Sequence, residues 1–92
     1  MYQILAKETL TPVTKLFEIE APDVARKAQP GQFIILRVCE EGERVPLTIA
    51  DYNREKGTIT IVVQELGKTT RLLGTMEAGD ALASFTGPLG RP

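Results

Sequence analysis

Histidine and tryptophan are absent from this chain, and cysteine occurs once, at Cys39. With no imidazole and a single thiol, the usual ligand sets of zinc and iron-sulfur sites cannot be assembled from these residues, and no internal disulfide can form. No apolar run approaches the roughly 20 residues of a membrane span. The N-terminal Met1-Tyr2-Gln3-Ile4-Leu5-Ala6-Lys7 lacks the basic, apolar and small-residue order of a secretion signal. A soluble, cytoplasmic protein without a membrane partner is the expectation. Aromatic residues are scarce, two Tyr and three Phe, and acids and bases nearly cancel to a formal net charge of -1. They are spread along the chain without a basic stripe, which argues against a nucleic-acid partner, because backbone phosphates are bound by clustered Lys and Arg.

What is present describes one small domain: 92 residues, 42% apolar and 25% charged. A chain of this size buries only about two-thirds of the surface its unfolded form exposes, so a ligand filling a groove would add to its stability. Met1–Glu8 and Val13–Glu20 read as two strands separated by Thr9-Leu10-Thr11-Pro12. Ala21–Ala28 has room for one helical turn before Gln29-Pro30-Gly31 turns the chain into a third strand, Gln32–Val38. Arg44–Asp51 and Gly57–Gln64 read as strands four and five, with Asn53-Arg54-Glu55-Lys56-Gly57 as the hairpin between them. Gly67–Met76 has the composition of a short helix, and Ala81–Thr86 reads as a sixth strand. The expected fold is all-β: a six-stranded antiparallel Greek-key barrel with one short helix, closed so that few sheet edges remain.

Two segments carry polar groups where a purely structural barrel would not require them. In an extended Arg44–Asp51, Arg44, Pro46 and Thr48 share a face, with Arg44 and Thr48 about 13 Å apart at roughly 3.3 Å per residue. Pro46 removes a ladder donor and predicts a sheet edge or opening at this point. The plain alternative is an edge strand with a solvated Arg and a Thr that suits β-structure. The second segment, Val63-Gln64-Glu65-Leu66-Gly67-Lys68-Thr69-Thr70-Arg71, passes from a strand through a glycine into the helix. Free backbone N-H groups there, with Thr69, Thr70 and Lys68 beside them, suit a phosphate, and Gly67 lets it approach the backbone closely. A capped surface helix is the alternative. The nucleoside-triphosphate P-loop is excluded, because it needs a glycine where Val62 stands.

Together, Arg44–Asp51, Gly57–Gln64, Gly67-Lys68-Thr69-Thr70 and Gly87-Pro88-Leu89-Gly90, in this order, resemble the flavin domain of the ferredoxin-NADP reductase-like family over essentially the whole chain. The family signature is Arg-x-Tyr-Ser/Thr on a barrel strand, followed by a glycine-containing phosphate segment at a helix start. The resemblance is to the branch containing the small subunit of NADH-dependent reduced ferredoxin:NADP oxidoreductase and the dihydroorotate dehydrogenase electron-transfer subunit. It implies that Thr48 hydrogen-bonds the ring of FAD and that Leu47, in place of the signature Tyr, packs on it. The signature Arg falls on Val45, with Arg44 one residue earlier as the candidate pyrophosphate contact beside Pro46. Val62, Val63 and Gln64 match the strand bordering the flavin, and Gly67, Lys68, Thr69 and Thr70 match the phosphate segment. The resemblance further implies an FAD-binding barrel over 1–86 and, from 87–92, the start of a linker to a missing NAD(P)-binding domain. NAD(P)H and a [2Fe-2S] cluster would be bound by missing parts of the chain, with a larger iron-sulfur flavoprotein subunit as partner. The barrel alone would not be a complete enzyme.

The remaining candidates read as structural. Cys39 has no activating neighbour and is expected to be buried or half-buried. Phe17, Phe33 and Phe85 are expected in the core, and Glu40, Glu41 and Glu43 in a solvated loop. The rival from another class is a non-catalytic barrel that binds RNA or protein. The low aromatic content and the missing basic face weigh against it.

Overall fold

The computed structural model describes residues 2–91 and contains seven strands and two short helices. In chain order these are β1 (Tyr2–Thr11), β2 (Thr14–Glu20), α1 (Pro22–Lys27), β3 (Phe33–Arg37), β4 (Val45–Asn53), β5 (Thr58–Gln64), α2 (Lys68–Gly74), β6 (Ala81–Leu82) and β7 (Ser84–Leu89). All pairings are antiparallel, in the order β6-β1-β2-β5-β4-β3-β7. The chain leaves β2 and returns to it only with β5, the crossover of a Greek key.

The barrel is nearly closed, and the expected count of six strands becomes seven for one reason. The sixth strand breaks at Ala83, whose N-H donates to the Arg37 carbonyl at 3.0 Å. The piece before the break pairs with β1, and the piece after it pairs with β3. A single bent segment thus bridges the two sheet edges. Its second half runs to Leu89, opposite Phe33, so Gly87-Pro88-Leu89 are strand residues. β1 is also longer than expected, because its ladder with β2 continues to Thr11↔Thr14 and leaves only Pro12 and Val13 in the turn. Met1, expected at the start of that strand, lies outside the described residues. Within Ala21–Ala28, where one helical turn was expected, Pro22–Lys27 form the short helix α1. Pro22 opens α1, where its missing N-H costs nothing, and Val24 and Ala25 are buried beneath it.

Strand alternation builds the interior. Phe17 and Ile19 on β2, Ile34 and Leu36 on β3, and Ile59, Ile61 and Val63 on β5 are all fully buried. Phe85 joins them, whereas Phe33 is only half-buried and packs its ring beside Gly90. The inward rows of β2 and β5 each finish in a charge, Lys15 and Glu65. These pair with one another beneath α2, with their side chains 12% and 17% exposed. Lys15 also donates to the Pro12 carbonyl at 3.0 Å. Gly74 of α2 rests on the Glu65 carboxylate, where any Cβ would overlap it, and Lys7 donates to the Gly74 carbonyl at 2.9 Å. A cation at that carbonyl complements the C-terminal end of the helix. Three side chains therefore seat α2 across one end of the barrel.

Candidate functional site

β4 changes partner halfway along its length. Val45 to Thr48 pair with β3, whereas Ile49 to Asn53 pair with β5. On β5, the residues beyond Ile61 have ladder partners only on β2. The sheet consequently splits between the first half of β4 and the last residues of β5. Pro46 stands in this split without an N-H to leave unsatisfied, in agreement with the opening expected from its position.

The split forms a groove of about 590 Å³. One wall is β4, contributing Pro46, Leu47 and Thr48 with Val45 and Ala50; the other is β5, contributing Val62 and Gln64. Thr14, Leu66 and Thr70 close the end next to α2. Val62 is 39% exposed and Leu66 76%, so an apolar surface faces solvent here that a bound ring would cover. Of the expected site residues, Pro46, Leu47, Thr48, Val62, Gln64 and Thr70 line this one groove.

The others stand differently. Val63 is fully buried on the opposite face of β5, because adjacent strand residues point to opposite sides, and it is not part of the groove lining. Arg44 lies one residue before β4 and is exposed, as Pro46 and Thr48 are, while Val45 and Leu47 between them are half-buried. Lys68 is exposed at the first position of α2. Among the described residues, neither Arg44 nor Lys68 makes an ion pair or a side-chain hydrogen bond. Gly67 has φ -143°, extended backbone open to any residue, so positive φ is not the reason for glycine here. A Cβ at Gly67 would meet nothing within 4 Å and would project into open space. Thr70 Oγ1 accepts the N-H groups of Leu66 at 3.0 Å and Gly67 at 2.9 Å. The N-H groups of Lys68, Thr69 and Thr70 belong to the first helical turn and have no intrahelical acceptor.

Two loop expectations change. Glu43 is engaged as well as solvated: its carboxylate accepts the Thr69 hydroxyl at 2.8 Å and ties the acidic loop to the start of α2. Cys39 is exposed, because the turn closed by the Gly42 N-H on the Cys39 carbonyl at 2.9 Å lifts it from the barrel. No group of metal-ligating side chains occurs among the described residues. Sequence reasoning missed Thr14, Val45, Ala50 and Leu66. Thr14 alternates correctly for an outward position on β2, but nothing local marks β5 as its neighbour.

The near-closed antiparallel barrel with its split strand pair belongs to a known class: the chain is a member of the oxidoreductase FAD-binding domain family, whose model matches residues 2–92. It is 55% identical over 92 residues, covering 100% of this chain and 31% of the relative, to an uncharacterized protein in the adh 3′ region of Clostridium beijerinckii. It is 46% identical over 76 residues, covering 83% of this chain and 27% of the relative, to the dihydroorotate dehydrogenase B (NAD(+)) electron transfer subunit homolog of Thermotoga maritima. The chain therefore spans less than a third of either relative. Among solved structures, it resembles a chain of NADH-dependent reduced ferredoxin-NADP oxidoreductase, solved for insight into flavin-based electron bifurcation. That match has a TM-score of 0.98 and 40% identity, over 100% of this chain and 33% of that one. The cytochrome b5 reductase domain of Ulva prolifera nitrate reductase, 20% identical with a TM-score of 0.71 over 97% of this chain and 40% of that one, shares the fold. The resemblance read from the sequence motifs thus identifies the right family.

Proposed function

We propose that the groove between β4 and β5 binds FAD and that the domain serves an NAD(P)H-dependent electron-transfer subunit, passing electrons between nicotinamide, FAD and iron-sulfur centres. The observation that carries this reading is the split itself. In a chain of the FAD-binding family, the split exposes an apolar floor flanked by uncharged hydrogen-bonding groups, with free N-H groups and an empty Cβ position at one end. Those groups suit the three parts of the cofactor: Leu47 and Val62 for a ring, hydroxyl and amide groups for a polar chain, and the start of α2 for phosphate. When bound, FAD would supply hydride and single-electron chemistry, and the residues of the groove would orient it and set its electronics. Thr48 is assigned to the ring edge and Leu47 to its face. Gly67, Lys68, Thr69 and Thr70 are assigned to the pyrophosphate, with Arg44 as a second cation near it. The nicotinamide would be held by a domain in the remainder of the full-length chain, and a larger iron-sulfur flavoprotein subunit would be the electron partner. The rival reading, an RNA- or protein-binding barrel, gains no support from a groove whose lining contains no aromatic ring.

Thr48→Val tests the ring assignment. Loss of one hydrogen bond should weaken binding of both FAD and riboflavin by about 0.5–1.5 kcal/mol and shift the flavin potential. Flavin titrations and spectroelectrochemistry of the full-length protein measure the two effects, and parent values in both would remove Thr48 from the ring.

Lys68→Ala tests the phosphate assignment. The exposed ammonium acts as a screened point charge, so its loss should weaken FAD binding several-fold at about 10 mM salt and far less at about 1 M. Riboflavin, which lacks phosphate, should bind the variant and the parent alike. A salt-independent ratio between variant and parent would exclude an electrostatic role.

A further inference from the structure

Gln32, immediately before β3, makes three hydrogen bonds that the groove assignments do not use. Its carboxamide oxygen accepts the Gln29 N-H at 2.9 Å, and its carboxamide nitrogen donates to the Gly90 carbonyl at 2.9 Å. Its main-chain carbonyl accepts the Ile49 N-H, also at 2.9 Å. Ile49 is where β4 exchanges β3 for β5, directly after Thr48 of the groove. One residue thus ties a groove-lining strand to the point where the chain leaves β7. Phe33 repeats the link, pairing with Thr48 on one side and with Leu89 on the other. Neighbouring strands lie about 4.8 Å apart, so Leu89 stands only about 10 Å from Thr48 across the sheet. The chain then turns at Gly90, which has φ +80° and whose Cβ, if present, would meet the Phe33 ring at 3.0 Å.

We propose that Gln32 is a positioning residue that fixes the direction in which the chain leaves the barrel at Gly90, relative to the wall of the groove that carries Thr48. The inference rests on the reading of the groove as a flavin site and of the chain beyond Gly90 as leading to a nicotinamide-binding domain. A glycine at positive φ is conformationally free unless its neighbours restrain it. Here the restraints are the Gln32 side-chain donor at the Gly90 carbonyl and the Phe33 ring beside its Cα. Gln32 is not among the residues that line the groove, so it acts on a reaction there only through Gly90. Transfer of a hydride requires the reacting atoms to be held about 3–3.5 Å apart and aligned, so a misdirected exit lowers the rate even while both reactants stay bound.

The test compares the full-length protein with its Gln32→Glu and Gln32→Leu variants. Glutamate keeps an acceptor for the Gln29 N-H but turns a carboxylate oxygen toward the Gly90 carbonyl, whereas leucine removes both side-chain bonds. Both bonds lie at the surface, so both variants should fold, and a melting curve checks this. FAD titration should return the parent affinity, and dithionite should reduce the bound flavin at the parent rate. Stopped-flow mixing with NADH or NADPH follows hydride leaving the nicotinamide, which becomes NAD(P)+, and the flavin absorbance bleaching as it is reduced. Its limiting rate should fall about five- to tenfold in both variants, at an unchanged half-saturating nicotinamide concentration. Parent limiting rates in both variants overturn the proposal. So does an equal slowing toward dithionite, or a loss of FAD affinity that accounts for the slower reduction, either of which assigns Gln32 to the fold of the barrel. A parent protein that binds FAD but is reduced by neither nicotinamide refutes the nicotinamide reading, and one that binds no FAD refutes the flavin reading; both results are distinct from failure of the Gln32 assignment.

Discussion

Lys15→Met should destabilise the protein by about 3 kcal/mol, because it removes one partner of a largely buried ion pair and leaves the other uncompensated. Lys15 and Glu65 end the inward rows of β2 and β5, where their side chains keep only 12% and 17% of their exposure. With Lys15 gone, the Glu65 carboxylate lies against Gly74 beneath the end of α2, where the helix dipole also disfavours a negative charge. Urea unfolding of parent and variant measures the loss. The double variant Lys15→Met/Glu65→Met should recover most of it, since apolar groups of similar volume can replace a buried pair at little cost. A loss below about 1 kcal/mol in the single variant would mean that α2 lifts and lets water reach Glu65, so that the pair is not what seats the helix.

Gly67→Asp should move stability and cofactor affinity in opposite directions. Its Cβ enters open space, its φ of -143° is accessible to any residue, and aspartate is a better N-cap than glycine. The flavin-free protein should therefore melt at the parent temperature or slightly above it. The same carboxylate would stand where the pyrophosphate is assigned, and the juxtaposition of like charges costs several kcal/mol. FAD affinity should fall at least about tenfold, with riboflavin affected far less. Calorimetric titration with both ligands, beside a melting curve, reads all three quantities. If FAD and riboflavin both keep parent affinity, the phosphates lie elsewhere; if both fall together and the melting temperature drops, the damage is to the fold.

Much of this molecule was legible in local patterns. The alternation of Ile59, Ile61 and Val63, and the turn at Asn53–Gly57, placed β5 and its hairpin. Pro46 marked the opening in the sheet, since a residue without an N-H is tolerated where the ladder is interrupted. The passage from Gln64 through Gly67 into Lys68-Thr69-Thr70 marked a strand-to-helix junction at the groove. The order of these motifs along the chain identified the family. Less legible were the ends of elements. β1 outran its expected limit because its ladder with β2 continues to Thr11, and β4 runs from Val45 to Asn53, one residue later at its start and two at its end than expected.

What the sequence by itself determined was the kind of each segment and the chemistry it carries, because backbone preference and alternation act over a few residues. The tertiary structure alone decided which segments became neighbours. The pairing of Thr14 with Gln64, the change of partner in β4 after Thr48, the break at Ala83 that lets one segment bridge two edges, and the meeting of Lys15 with Glu65 under Gly74 all join residues far apart in the chain. Such contacts are selected by the simultaneous burial of several inward rows in one closed interior, a condition on the whole barrel that no short stretch of sequence contains.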